Sequence, residues 1–93
     1  IARFGKLGVV PGMQAVHIPG DTRNIDTLLG TTRADTSYAF RSLIETGATI
    51  ALGSDAPIAT PDPNLGFAAA IDRQDQNGNP WHPGYTVDQI AVQ

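Results

Sequence analysis

Between Gly47 and Pro57 the chain reads Gly-Ala-Thr-Ile-Ala-Leu-Gly-Ser-Asp-Ala-Pro, and this stretch restricts what the rest can fold into. Gly47 opens it as a turn residue. Thr49 to Leu52 is too short and too apolar for a free helix, which predicts a buried strand. Near-continuous apolar runs of this kind belong to parallel sheets covered on both faces. The run delivers one carboxylate, Asp55, into a segment rich in glycine and proline. In α/β folds the chemistry sits at the carboxyl edge of the sheet or barrel. Aspartate is seldom buried without a partner, so Asp55 is expected to serve a metal, a cation or a proton transfer. A helix or turn cap is the structural alternative.

Upstream, the same grammar is present. Ile1 to Leu7 reads as the tail of a helix, with Ile1, Phe4 and Leu7 on one face and Gly8 as a left-handed stop. Val9 to Val16 predicts a strand, interrupted at Pro11-Gly12. That strand delivers His17, either a loop histidine beside Pro19-Gly20 or a residue at a catalytic mouth. Gln14, three residues earlier, points toward a barrel interior or its neighbouring layer, where it would help hold a site. Asp21 or Thr22 is expected to cap a short helix through Ile25, Leu28 and Leu29 to Gly30. Thr32-x-x-Asp35 is a second capping signal and predicts a helix to about Thr46, buried through Ala39, Phe40, Leu43 and Ile44 and ended by Gly47. Arg41 and Glu45 form an i, i+4 surface pair on it, worth only ~0.3–0.5 kcal/mol.

Downstream of Asp55 the chain reads as one long loop with its own helix, from Ala56 to Tyr85, where substrate specificity usually resides. Asp62 is an N-cap candidate with Pro63 at the first helical position, leading through Leu65, Phe67, Ala68, Ala69 and Ile71 to about Gln74. Gln76 to Pro80 is a turn cluster. Trp81 is either a lid aromatic or an anchor packing the loop down. His82, between tryptophan and proline, is expected to be solvated. Thr86-Val87-Asp88-Gln89 forms a capping box, and Val87, Ile90 and Ala91 begin a helical stripe. The abrupt start at Ile1 and the stripe cut at Gln93 make both ends read as cuts.

Bulk properties narrow the function classes. The 93 residues are 41% apolar and 16% charged, a globular composition. A net charge of −3 without a basic stripe argues against nucleic acid as a partner. There are no cysteines, so any metal must use histidine, carboxylate or water. No stretch has the length of a membrane span and no signal peptide is visible, so no membrane partner and a cytoplasmic location are expected.

Gly53-Ser54-Asp55-x-Pro57, preceded by Tyr38-x-Phe40-Arg41-Ser42-Leu43 and Gly47-Ala48, resembles the end of a metal-dependent amidohydrolase. The resemblance is narrower still to the amidohydrolase-3 group, which includes N-substituted formamide deformylase. Met13-Gln14-x-x-His17 upstream, and Asn64-Leu65-Gly66 and Arg73-Gln74 downstream, continue it in order over nearly the whole chain.

The resemblance implies an α/β fold: a fragment of a TIM-type (β/α)8 barrel comprising the seventh and eighth strands and their helices. Residues 1–93 are then the C-terminal portion of a catalytic barrel, incomplete at both ends, since a whole barrel needs about 250 residues. It implies hydrolysis of amide or formamide-like C–N bonds by metal-activated water. Asp55 takes the position of the carboxylate that ligates metal and shuttles the proton. His17 follows the seventh strand and becomes a substrate contact rather than a ligand, with Gln14 in support. Zinc suits a His/carboxylate site, with iron or manganese as alternatives.

Zinc wants at least three protein ligands, and no other residue here has ligand spacing with Asp55. The His-x-His of a first strand, the bridging residue of a fourth and the histidines of the fifth and sixth are not in the sequence. The chain alone is therefore expected to be inactive, with a small-molecule substrate and the remainder of its barrel, or copies of itself, as partners. The competing reading is a non-catalytic small α/β fragment or binding module that self-associates.

Overall fold

Two short parallel strands joined by a helical crossover form the frame. The structure, a computed structural model, describes residues 1–85. The expected capping box at Thr86–Gln89 lies outside them. In order, α1 spans Arg3–Leu7, β1 Gly12–Met13, a 3-10 turn Ala15–His17, α2 Ile18–Leu29, α3 Thr31–Ala34 and α4 Phe40–Glu45. β2 then spans Ala51–Leu52, α5 Pro63–Asp72, and a last 3-10 turn Pro83–Tyr85. β1 and β2 pair in parallel, Gly12 opposite Ala51 and Met13 opposite Leu52. The amides of Ala51 and Gly53 donate to the carbonyls of Pro11 (3.0 Å) and Met13 (2.9 Å). A parallel pair needs a crossover between its strands, and α2 to α4 supply it.

The strand expected over Val9–Val16 is shorter than its pattern. Val9 and Val10 are exposed, and Gln14 already turns, its carbonyl accepting from the His17 amide in the 3-10 turn. Pro11 has no amide to give a ladder. β2 is correspondingly short, because a strand is bridged only as far as its partner extends. Its expected burial on both faces is not found: Ala51 is exposed and Leu52 half-buried.

Helix boundaries and caps differ from expectation at three places. α2 begins at Ile18, with Pro19 in its first turn, so neither Asp21 nor Thr22 caps it. The Asp21 side chain accepts a 2.5 Å hydrogen bond from the Tyr38 hydroxyl instead. Gly30, not Thr32, precedes α3, and no side chain caps that helix. The single helix expected to Thr46 is broken between Ala34 and Phe40, where Tyr38 adopts a left-handed φ of 49°. At the other elements the sequence signals hold. Gly8 ends α1 with φ 69°, Asp62 caps α5 through a 3.0 Å bond from the Asn64 amide, and Pro63 begins that helix.

The core consists of Ala15, Ile18, Ala34, Phe40, Ala70 and Trp81, with Met13, Ile25, Ile44, Ile50 and Leu52 packed around it. The 3-10 turn at Ala15–His17 lies against α5, while α1 lies against α4. The second contact demands Gly5: a β-carbon there would stand 1.7 Å from the Thr46 carbonyl oxygen, and the Gly5 amide donates to Thr46 Oγ1 at 3.1 Å. Several large apolar side chains remain outside the core, among them Leu28 at 80% exposure and Ile58 at 75%. No helix among the described residues is long and apolar enough to cross a membrane.

Candidate active site

The ends of the two strands bring His17 and Asp55 together. His17 closes the 3-10 turn that follows β1, and its backbone also forms the N-cap of α2. Asp55 lies three residues past β2. His17 Nε2 and Asp55 Oδ2 are 3.7 Å apart, close enough for charge to act and too long for a direct hydrogen bond. Parallel pairing is the cause: both strands point the same way, so both deliver a polar residue to one edge.

Asp55 has a φ of 59°, and its carbonyl accepts from the Ile58 amide at 2.8 Å, closing a turn. Aspartate enters this left-handed region more readily than most residues, but still at a cost. Backbone held in such a conformation clusters at functional sites. The side chain is 60% exposed and caps no helix among the described residues. The expected buried setting is therefore not found, and of the cap alternative only a turn is seen, closed by the Asp55 backbone carbonyl and not by its side chain. The carboxylate is presented outward, toward His17.

Gln14 does not join them. Its side chain is half-buried and forms no hydrogen bond among the described residues. A recess of about 230 Å³ opens beside the pair, walled by Val16, Leu52, Gly53, Ser54, Pro61, Asp62, Pro63, Gly66 and Phe67. The wall is mixed: Val16, Leu52, Phe67 and the two prolines supply apolar surface, and Ser54 and Asp62 supply polar points.

A metal is only partly accommodated. An imidazole nitrogen and a carboxylate oxygen are the right donors for a borderline divalent ion. Among the described residues, however, no three His, Cys, Asp or Glu side chains converge to hold one. The donors fit in kind and fall short in number.

A second polar assembly, which sequence reasoning missed, centres on Arg73. It is fully buried and follows α5 in a left-handed conformation, φ 47°. Its Nε donates to the His82 carbonyl (3.0 Å), and its terminal nitrogens donate to the carbonyls of Tyr38 (2.5 Å) and Ser37 (2.9 Å). The guanidinium lies over the rings of Trp81, 4.7 Å away, and Tyr85, 5.9 Å away. Burial pulls it down to about 10, with the charges of Asp35 and Tyr85 opposing, so it stays cationic at neutral pH. These bonds explain the break after α3: the carbonyls of Ser37 and Tyr38 turn out of a helix to meet Arg73. Burial above all, then the bond to Asp21 and its charge, push the Tyr38 phenol well above its ordinary value.

His82 is not solvated as expected. Its Nδ1 lies 2.8 Å from Asp35 Oδ1 and its Nε2 3.1 Å from Asp26 Oδ1. Trp81, 5% exposed, is the anchor rather than a lid, and its indole donates to Asp26 Oδ2 at 3.0 Å. The turn between Gln74 and Pro80 forms as expected, with Asp75 Oδ1 accepting from the amides of Asn77 and Asn79.

The amidohydrolase family profile matches residues 1–91, and the chain belongs to that family. It is 35% identical over 81 residues to the "Putative amidohydrolase YtcJ" of Bacillus subtilis (strain 168), covering 84% of this chain and 15% of that protein. It is 39% identical over 72 residues to "Protein LONG AFTER FAR-RED 3" of Arabidopsis thaliana, covering 76% of this chain and 12% of that protein. The chain thus spans a small fraction of the length of these curated relatives. No solved structure matches.

Proposed function

We propose that residues 1–93 are the C-terminal portion of a metal-dependent hydrolase of the amidohydrolase-3 group, acting on C–N bonds of the amide or formamide kind. β1 and β2 are then the seventh and eighth strands of a TIM-type (β/α)8 barrel, with the other strands and the histidine ligands supplied by the rest of the polypeptide. The observation that carries this reading is the meeting of His17 and Asp55 at one edge of a parallel strand pair, in a chain matching the family over residues 1–91. A compact carboxylate at a strand end is what such a centre needs.

In this reading Asp55 is both a metal ligand and the proton carrier. A divalent metal, zinc by the donor types, would lower the pKa of a bound water toward neutrality and polarise the substrate carbonyl. Asp55 takes a proton from the attacking water as the new C–O bond forms, then passes it to the leaving nitrogen as the C–N bond breaks. His17, facing Asp55, contacts the substrate and orients it. The recess beside the pair, with Val16, Leu52 and Phe67 on its wall and Ser54 and Asp62 as polar points, suits a substrate that carries both an apolar and a polar part. Among the described residues no full ligand set converges, and in this reading the 93 residues alone are inactive.

The test is metal dependence in the full-length protein. Chelation should abolish hydrolysis of simple N-substituted amides and formamides, and added zinc, manganese or iron should restore it. Hydrolysis that survives complete metal removal, shown by elemental analysis, would overturn the proposal.

A further inference from the structure

The His82 cluster is separate from the His17–Asp55 edge and has no part in the proposed hydrolysis. Its ring is nearly enclosed, with 16% of the side chain exposed, and each ring nitrogen faces a carboxylate. Asp26 comes from α2, and Asp35 from the turn after α3. A carboxylate can only accept, so both contacts are hydrogen bonds only when the imidazole carries a proton on each nitrogen. A neutral ring has one N–H, and its other nitrogen then presents a lone pair to a carboxylate oxygen about 3 Å away.

The backbone adds a second observation. His82 has φ 44°, a left-handed conformation that costs a non-glycine residue free energy and persists only when neighbours hold it. It is held by its ring bonds to Asp26 and Asp35, by the edge-on Trp81 ring 4.9 Å away, and through its carbonyl, which accepts from Arg73 and from the Tyr85 amide. The other charged or titratable groups nearby are Tyr85, beyond Arg73, and Arg23 and Asp75. These last two line an open recess of about 320 Å³ that reaches Asp26 and Trp81 and admits solvent to the cluster.

We propose that His82 is a proton-operated clasp that fastens the segment 74–85 to α2 and to the turn after α3. The clasp is closed when the imidazole is doubly protonated and loosened when it loses one proton.

Hydrogen exchange in the full-length protein tests this without reference to catalysis, so it stands or falls apart from the hydrolase reading. Amide protection of peptides covering 74–85 is compared across a series from about pH 5 to about pH 9, after correction for intrinsic exchange. Protection should fall by about tenfold across that range, the loss of one charge-assisted hydrogen bond. Peptides within α5 should show no such step. His82→Gln should remove the step. Asp35→Asn should keep the segment protected at both ends of the range, because an amide donates to the unprotonated nitrogen. A wild type with no step overturns the clasp, as does a step that survives in either variant.

Discussion

Removing Arg73 would take from the part-buried carbonyls of Ser37, Tyr38 and His82 the donor they share, leaving Tyr38 and His82 with one backbone donor each. A lysine retains the charge but not the planar fork, and it cannot reach three carbonyls in different directions while stacking on Trp81. Arg73→Lys in the full-length protein should therefore lose about 2–4 kcal/mol of stability, read from the denaturant midpoint. A change within about 0.5 kcal/mol, the range of ordinary surface substitutions, would show that the guanidinium network carries no weight. Arg73 also marks a limit of reading residues singly. In sequence it lies near the end of a helix expected to reach about Gln74, and nothing local marks its burial, because two of the three carbonyls that hold it lie 35 and 36 residues away. His82 was misread for the same reason: its carboxylates are 47 and 56 residues distant. Asp55 and His17 were legible because strand direction, a local property, puts them on one edge.

At the scale of elements, stops and starts with their own chemistry were readable. Gly8 and Gly47 take positive φ at helix ends, and Asp62 with Pro63 begins α5. The helix across residues 31–46 was not, since its break is made by Arg73 from outside the element. The strands were placed correctly but drawn too long, because pairing length depends on the partner and not on the apolar run. Both strands have an open side beyond their single pairing, and Val10, Leu28 and Ile58 are more than half exposed nearby or on the same body. Open edges recruit further strands. The isolated 93-residue chain should accordingly associate, with copies of itself or with the rest of its polypeptide, through Val9–Val16 and Thr49–Leu52. Light scattering that finds a compact monomer with a cooperative melt would contradict this.

At the scale of the whole molecule, the chain matches curated relatives of which it spans only 12% and 15%. It holds one strand-end carboxylate, a facing histidine and a recess of mixed polarity, and no complete ligand set among the described residues. The proposed function thus joins this portion to a centre assembled from the remaining strands, with Asp55 as the joining residue. Turnover of full-length Asp55→Asn tests that claim most directly. The amide keeps the shape of the carboxylate and removes its ability to carry the proton. The account predicts a variant that folds as the wild type does and hydrolyses its substrate ~100-fold more slowly or worse. Near-normal turnover in that folded variant would contradict it.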